Sequence, residues 1–190
     1  PVPAPDRVVA TTEVVRRGRR SVTCTVDLRD EAGGRLGWST VGFATVPRRD
    51  GDPPKPHFTP EVAADHFTGV SAITRPLPEE ADIEVVDPAA GVAQVVVTPE
   101  LRNPAGTLQG AMVALVAEVA AEELAATRSP DPLVVTELDL RYLAQAPTGP
   151  VRSSTEVLGD GPEDPMAVDL VDTSVDRLTT LVQARAQILA

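Results

Sequence analysis

From Asn103 to Ala121 the only ionisable side chain is Glu118. Met112, Leu115, Val116 and Val119 surround it, and most of the intervening residues are alanine. A helix that is apolar on every face is a buried helix. A carboxylate in such a helix loses hydration, so its pKa rises unless it is paired or hydrogen-bonded. Carboxylates perturbed in this way concentrate at functional sites. The plainer alternative puts Glu118 at the helix edge, facing water or bonded to a neighbouring backbone group.

The segment that opens this helix carries a second chemical possibility. Gly106-Thr107-Leu108-Gln109-Gly110-Ala111 leads into it, and the first backbone N–H groups of a helix have no partners within the helix. With the helix dipole they favour negative charge. Gly110 has no Cβ, so a ligand could approach its N–H closely. Such a donor suits a carbonyl oxygen that becomes an oxyanion during acyl transfer. Read plainly, the same glycines are loop and cap residues.

Spacing limits how these two features can cooperate. Gly110 and Glu118 are eight residues apart, about 12 Å along a helix axis at 1.5 Å per residue. A glutamate leaning toward the N-terminus recovers only part of that gap. A nucleophile must come within about 3–3.5 Å of the carbon that it attacks. The donor and the carboxylate acting on one substrate are therefore expected from two different helices, with the site between two copies of the fold.

The elements around the helix read mainly as strands. Residues 8–16, 20–29 and 35–46 are rich in Val and Thr, with turns at Arg17-Gly18-Arg19 and Glu31-Ala32-Gly33-Gly34. Strands near 82–87 and 91–98 precede Asn103-Pro104-Ala105-Gly106, and a helix is expected from about Thr107 to Arg128. Ser129-Pro130-Asp131-Pro132 stops it, because proline restricts the residue before it and cannot continue the ladder. Further strands follow near 133–143, 150–158, 166–172 and 177–189. The order β-β-α-β-β-β-β predicts an α+β fold, with one antiparallel sheet and one long helix on its face.

The chain also repeats itself. Thr12-Glu13-Val14 recurs as Thr155-Glu156-Val157, an offset of 143 (155 − 12). Val26-Asp27-Leu28, Asp30 and Arg35-Leu36 recur as Val168-Asp169-Leu170, Asp172 and Arg177-Leu178, an offset of 142 (168 − 26). Residues 1–46 are thus expected to be a partial copy made of the last three strands, truncated in this chain. Residues 47–80, with Pro47, Pro53, Pro54, Pro56, Pro60, Pro76 and Pro78, read as a linker, and residues 81–190 as a complete domain. Thr59-Pro60-Glu61 suggests a short helix over 60–67. His57 and His66 read as surface histidines, Cys24 as a buried small hydrophobe, and Trp38, Phe43 and Tyr142 as core or interface aromatics.

Composition narrows the partners. Seventeen Lys+Arg against 28 Asp+Glu give a formal charge of −11 over 190 residues. That balance repels nucleic-acid phosphates and anionic lipid. One cysteine cannot form an internal disulfide, which fits a reducing cytoplasm. Two histidines and one cysteine cannot build a His- or Cys-rich metal site, so no metal or redox cofactor is expected. No targeting segment is visible, and the most apolar stretch, 111–121, is far too short to cross a bilayer. Aromatics are only 3%, so Val, Leu and Ala must build the core.

Asn103-Pro104-Ala105-Gly106-Thr107-Leu108-Gln109-Gly110-Ala111, followed by Glu118, resembles the motif of the hot-dog-fold acyl-CoA thioesterases of the PaaI-like type. That motif reads Asn-x-x-Gly-x-x-His-Gly-Gly with an acid nine residues after the His, and Glu118 stands nine after Gln109. The resemblance covers residues 81–190 as a whole domain, while residues 6–46 are similar to the final three strands of another. It implies a double hot-dog arrangement whose first copy lacks its helix, and a homodimer that supplies the missing half of each site. It also implies hydrolysis of an acyl-CoA, with Gly110 donating its N–H to the thioester carbonyl and Glu118 as nucleophile or general base. Asn103 would position the water or the opposite carboxylate, and Thr136 would assist the water. Gly106 and Ala111 would line the substrate, and Arg16, Arg17 and Arg19 would meet the phosphates of coenzyme A unless they form only a solvated hairpin tip. Val134, Val135 and Arg102 are expected to be packing or surface residues.

The chain departs from the motif twice. Gln109 replaces the His, with an amide that can still donate to the carbonyl, and Ala111 replaces the second glycine and narrows the pocket. The competing reading is a non-catalytic acyl-CoA-binding or scaffold module. Hydratase chemistry on the same fold would need a His and Asp pair before the helix, which the loop lacks.

Overall fold

The computed structural model describes residues 7–44, 59 and 73–189. The expected helix over 60–67 and both histidines, His57 and His66, lie outside the described residues. The chain divides into two units, Pro1–Thr68 and Gly69–Ala190.

In the first unit the Val- and Thr-rich segments form β1 (Val9–Arg17), β2 (Ser21–Arg29) and β3 (Arg35–Ala44), an antiparallel meander in that order. Side chains alternate between faces, and the register gathers Val14, Cys24 and Val41 on one face with Val26 and Leu28. Cys24 is buried and free. On the other face Asp27 pairs with Arg29 at 2.7 Å and Arg35 at 2.8 Å. Trp38 and Phe43 are 59% and 57% exposed, so neither is a core residue. Both lie on β3, whose far edge pairs with no strand among the described residues. Arg16 and Arg17 end β1, and the turn itself is closed by the Gly18 N–H donating to the Ser21 carbonyl at 2.8 Å.

The second unit begins with a short helix, α1 (Leu77–Glu80), inside the stretch that reads as linker, then β4 (Glu84–Asp87) and β5 (Val92–Val95). The long helix α2 (Gly110–Ala126) follows, and then β6 (Leu133–Tyr142), β7 (Val151–Val157), β8 (Met166–Asp172) and β9 (Arg177–Ile188). The six strands pair in the order β4-β5-β7-β8-β9-β6, all antiparallel, with α2 packed on one face. Every second residue of β8 (Met166, Val168, Leu170) and of β9 (Val182, Ala184, Ala186) is buried. Ala117, Ala120 and Ala121 on α2 are fully buried, and their small size brings the helix backbone close to the sheet. This is the α+β layout expected from the element order.

Two boundaries differ from the sequence expectation. The helix begins at Gly110 rather than Thr107, because residues 102–108 form a loop whose ends bridge, Arg102 with Leu108. Leu108 and Gln109 then spend their N–H groups on the carbonyls of Ala146 and Leu101, each at 2.9 Å. The helix ends at Ala126, where the Thr127 hydroxyl donates back to the Leu124 carbonyl at 2.7 Å.

On the first two strands of each set the repeated residues occupy equal places, whereas on the third the match slips by one residue: Arg35 faces Arg29 but Arg177 faces Asp172. Thr12 faces Val26 and Val14 faces Cys24 in the first; Thr155 faces Val168 and Val157 faces Met166 in the second. Pairing with the third strand shifts register between Leu28 and Arg29 in one sheet, and between Leu170 and Val171 in the other. Those positions differ by 142 (170 − 28), the offset of the sequence repeat.

Candidate functional site

Asn103 organises the loop that delivers the chain to α2. Its N–H donates to the Thr107 carbonyl at 2.8 Å, and its Oδ1 accepts from the N–H groups of Ala105 at 2.9 Å and Thr107 at 3.3 Å. Its Nδ2 donates to the Thr107 hydroxyl at 3.0 Å. Gly106 sits within this loop at φ +78°, a left-handed conformation that favours glycine. The side chain of Asn103 therefore binds its own loop, and one amide hydrogen stays free for another group.

Gln109 is the residue before the helix, with extended backbone angles and no side-chain capping bond; it and Ala111 are exposed. Its carbonyl accepts from Met112 at 3.0 Å and Val113 at 3.1 Å. The N–H groups of Gly110 and Ala111, first in α2, have no acceptor among the described residues, as expected of a helix start. The space left by the missing Cβ of Gly110 is taken by Tyr142 of β6. A Cβ there would lie 3.2 Å from the Tyr142 hydroxyl, which donates to the Gly110 carbonyl at 2.9 Å. Burial pushes the Tyr142 phenol above its ordinary pKa, so it remains a donor. A cavity of about 360 Å³ opens beside these groups, lined by Asn103, Thr107, Gly110, Val113, Tyr142 and Thr180 among others.

Glu118 lies about two turns further along α2 and is not part of that cavity's wall. It is half-buried and has no hydrogen bond within the chain among the described residues. Burial, and secondarily the carboxylate of Glu122 one turn away, raise its pKa. Glu122 is held: its Oε1 accepts from the Val135 N–H at 2.9 Å. That N–H is free because β6 bulges between Val135 and Glu137. Thr136 is the bulged residue, exposed, with its hydroxyl 3.4 Å from the Arg185 carbonyl. Val135 packs against the core and Arg102 is exposed.

The second unit thus brings Asn103, Gly106, Gln109, Gly110 and Ala111 to one helix entrance, and sets Glu118 apart. Arg16, Arg17 and Arg19 are exposed residues of the first unit. Sequence reasoning missed Glu122, Thr107 and Thr180 and took Tyr142 for an ordinary core or interface aromatic. The i, i+4 spacing of Glu118 and Glu122 was the one available signal. Among the described residues no group of three or more His, Cys, Asp or Glu side chains could hold a metal, and no helix is long and apolar enough to cross a membrane.

Known proteins add context to this geometry. Residues 1–36 match the model of the thioesterase superfamily. No curated protein matches the chain. Among solved structures, a thioesterase variant from Staphylococcus aureus superposes with a TM-score of 0.56 at 18% identity, covering 60% of this chain and 98% of its own. The E. coli PaaI protein from the phenylacetic acid degradation operon gives 0.54 at 14% identity, with 62% and 86% covered. A Bacillus halodurans protein solved with CoA gives 0.53 at 15%, with 68% and 83% covered. Over residues 1–36 the chain is similar in sequence to the thioesterase superfamily, and over about three-fifths of its length it is similar in fold to these solved hot-dog proteins.

Proposed function

We propose that the protein hydrolyses an acyl-CoA thioester at a site shared between two copies of the hot-dog fold. The observation that carries this reading is Glu118: a half-buried, unpaired carboxylate on a helix whose first N–H groups are unpartnered beside a cavity. In the reaction the Gly110 N–H polarises the thioester carbonyl. Glu118 of another copy removes a proton from water, the water oxygen bonds to the carbonyl carbon, and the C–S bond breaks as the thiolate takes a proton. Direct attack by Glu118, with a mixed anhydride that water then opens, balances equally. Gln109 lies at the helix entrance, where its amide can donate to the same carbonyl. On this reading Thr136 and Asn103 order water rather than react.

The three strands of the first unit are, on this reading, the last three of a second hot-dog copy, an inference supported by the shared register and by the family match over residues 1–36. A homodimer supplies Glu118 to the helix entrance of its mate. Arg16, Arg17 and Arg19 supply the positive charge that CoA phosphates require on so acidic a chain. The free Cys24 suits the cytoplasm. The solved relative with CoA makes that carrier the natural first substrate.

The test is hydrolysis of a panel of acyl-CoAs by the parent and by Glu118→Gln. Turnover that the variant loses supports the proposal. Binding of acyl-CoA without turnover by the parent would make the protein a non-catalytic acyl-CoA-binding module instead.

A further inference from the structure

Thr180 of β9 is only 1% exposed and lines the cavity beside Gly110. Its neighbour Thr179, buried to the same degree, donates its hydroxyl to the Leu170 carbonyl at 2.9 Å. The Thr180 hydroxyl has no partner within the chain among the described residues. No fully enclosed side-chain oxygen or nitrogen is left unpaired among those residues, so this hydroxyl keeps contact with the cavity space. Thr107, 5% exposed, also lines the cavity: its oxygen accepts from Asn103 and its own proton is uncommitted. Besides the Gly110 N–H and the exposed Gln145 amide, the cavity wall thus carries uncommitted protons on Thr180, Thr107 and Asn103, set against Leu108, Val113 and Ala146.

A plain alkyl chain would dry these groups without pairing them, which is costly. A chain bearing an oxygen would pair them. The volume, about 360 Å³, lies at the small end of ligand pockets and favours a short chain. We propose that this cavity is the acyl pocket of the hydrolysis described above, on which the inference rests, and that it takes a short acyl group carrying a hydroxyl or carbonyl oxygen read by Thr180. The ligand oxygen accepts from or donates to the Thr180 hydroxyl and takes no part in the bond changes at the thioester. Tyr142, bonded to the Gly110 carbonyl, lines the same cavity.

The experiment compares 3-hydroxybutyryl-CoA with butyryl-CoA, by kcat/KM in the parent and by calorimetric binding in the Glu118→Gln background. The parent is expected to favour the hydroxylated substrate by up to about tenfold, the worth of one net hydrogen bond. Thr180→Val, of nearly the same shape, should collapse that ratio toward one in both measurements, and Thr180→Ser should restore it. Equal use of the two substrates by the parent, or a Thr180→Val effect that falls equally on both, overturns the pocket assignment. Hydrolysis that persists in Glu118→Gln with the binding ratio intact overturns the catalytic reading and leaves the pocket standing. Neither binding nor hydrolysis of either substrate overturns both.

Discussion

The Tyr142 hydroxyl donates to the Gly110 carbonyl at 2.9 Å and fills the place of the side chain that Gly110 lacks. The glycine is therefore matched to a tyrosine on the next strand, and the two side chains at this contact should vary together. Gly110→Ala puts a Cβ 3.2 Å from that hydroxyl, against a helix-propensity gain of up to about 1 kcal/mol. Tyr142→Phe loses a hydrogen bond worth about 0.5–1.5 kcal/mol. The double variant should be more stable than the sum of the two predicts, with a coupling of at least about 0.5 kcal/mol by thermal or denaturant unfolding. Strict additivity would show that the contact carries no energy.

Gly110→Pro removes the N–H at its position, and Gly110→Ala, whose Cβ meets Tyr142 in the same way, is the control that isolates the loss of the donor. Proline is tolerated at the first helical position, and the preceding Gln109 already has φ −64° and ψ 140°, which suits a residue before proline. Circular dichroism should be preserved while kcat falls about 10²–10³-fold, the cost of one oxyanion donor. Retained turnover in a folded variant would remove Gly110 from the mechanism.

Mixing Gly110→Pro with Glu118→Gln tests whether a site draws on two chains. Each variant alone is inactive, but a mixed dimer holds one site with both groups intact. Random reassociation should recover about a quarter of the parental activity. No recovery in a mixture shown by mass spectrometry to contain mixed dimers would place both groups in one chain.

Glu118 ties stability and rate to pH with opposite signs. Burial raises its folded pKa above 4.5, so the ionised form is the less favourable one in the folded state. The resulting stability cost is absent below about 4.5 and grows as pH rises through the folded pKa. Glu118→Gln should accordingly be more stable than the parent at neutral pH, with the difference vanishing in acid. As a general base, Glu118 must be ionised, so kcat/KM should rise with pH along a limb displaced above the ordinary carboxylate range. Glu122→Gln keeps an acceptor for Val135 but removes the second charge, and should move that limb to lower pH with little loss of stability. Glu122→Ala should do the same and also cost about 1–3 kcal/mol, because the Val135 N–H loses its partner.

Asp172 supplies a further pH signature. Burial alone would push its carboxyl up. The Ser174 hydroxyl at 2.7 Å and the N–H groups of Gly149, Thr148 and Ser174 outweigh that, and hold it below 3.8. Its stabilisation is therefore present above about 3.8 and is lost as pH falls through the lower folded value. Asp172→Asn should weaken the protein at neutral pH and flatten its acid unfolding, which chemical denaturation at several pH values would report.

The strands were legible because Val and Thr recur between Gly- and Asp-rich turns, and burial alternates along β8 and along β9 from Thr180 to Gln187, with Thr179 and Thr180 both buried. The lone acid in α2 was equally plain. What could not be read was anything fixed by contacts distant in sequence. The late start of α2 depends on Ala146 accepting from Leu108, and the role of Tyr142 depends on β6 passing beside Gly110. The Glu122 contact depends on a bulge at Thr136 that no turn residue announces. Thr180 looks like any strand threonine until the cavity gives its hydroxyl somewhere to face.

The two sheets keep one ladder and one displaced rung although few of their side chains agree. On the proposed reading of β1 to β3 as part of a second hot-dog copy, strand pairing has outlasted side-chain identity, which makes the two three-strand sets targets for exchange. A chimera that sets the Leu28–Gly37 pair in the place of Leu170–Thr180 would keep the rungs of the middle strand while its outer strands meet β5 and β6 anew, a route to changing helix-facing residues on a pairing pattern that already exists.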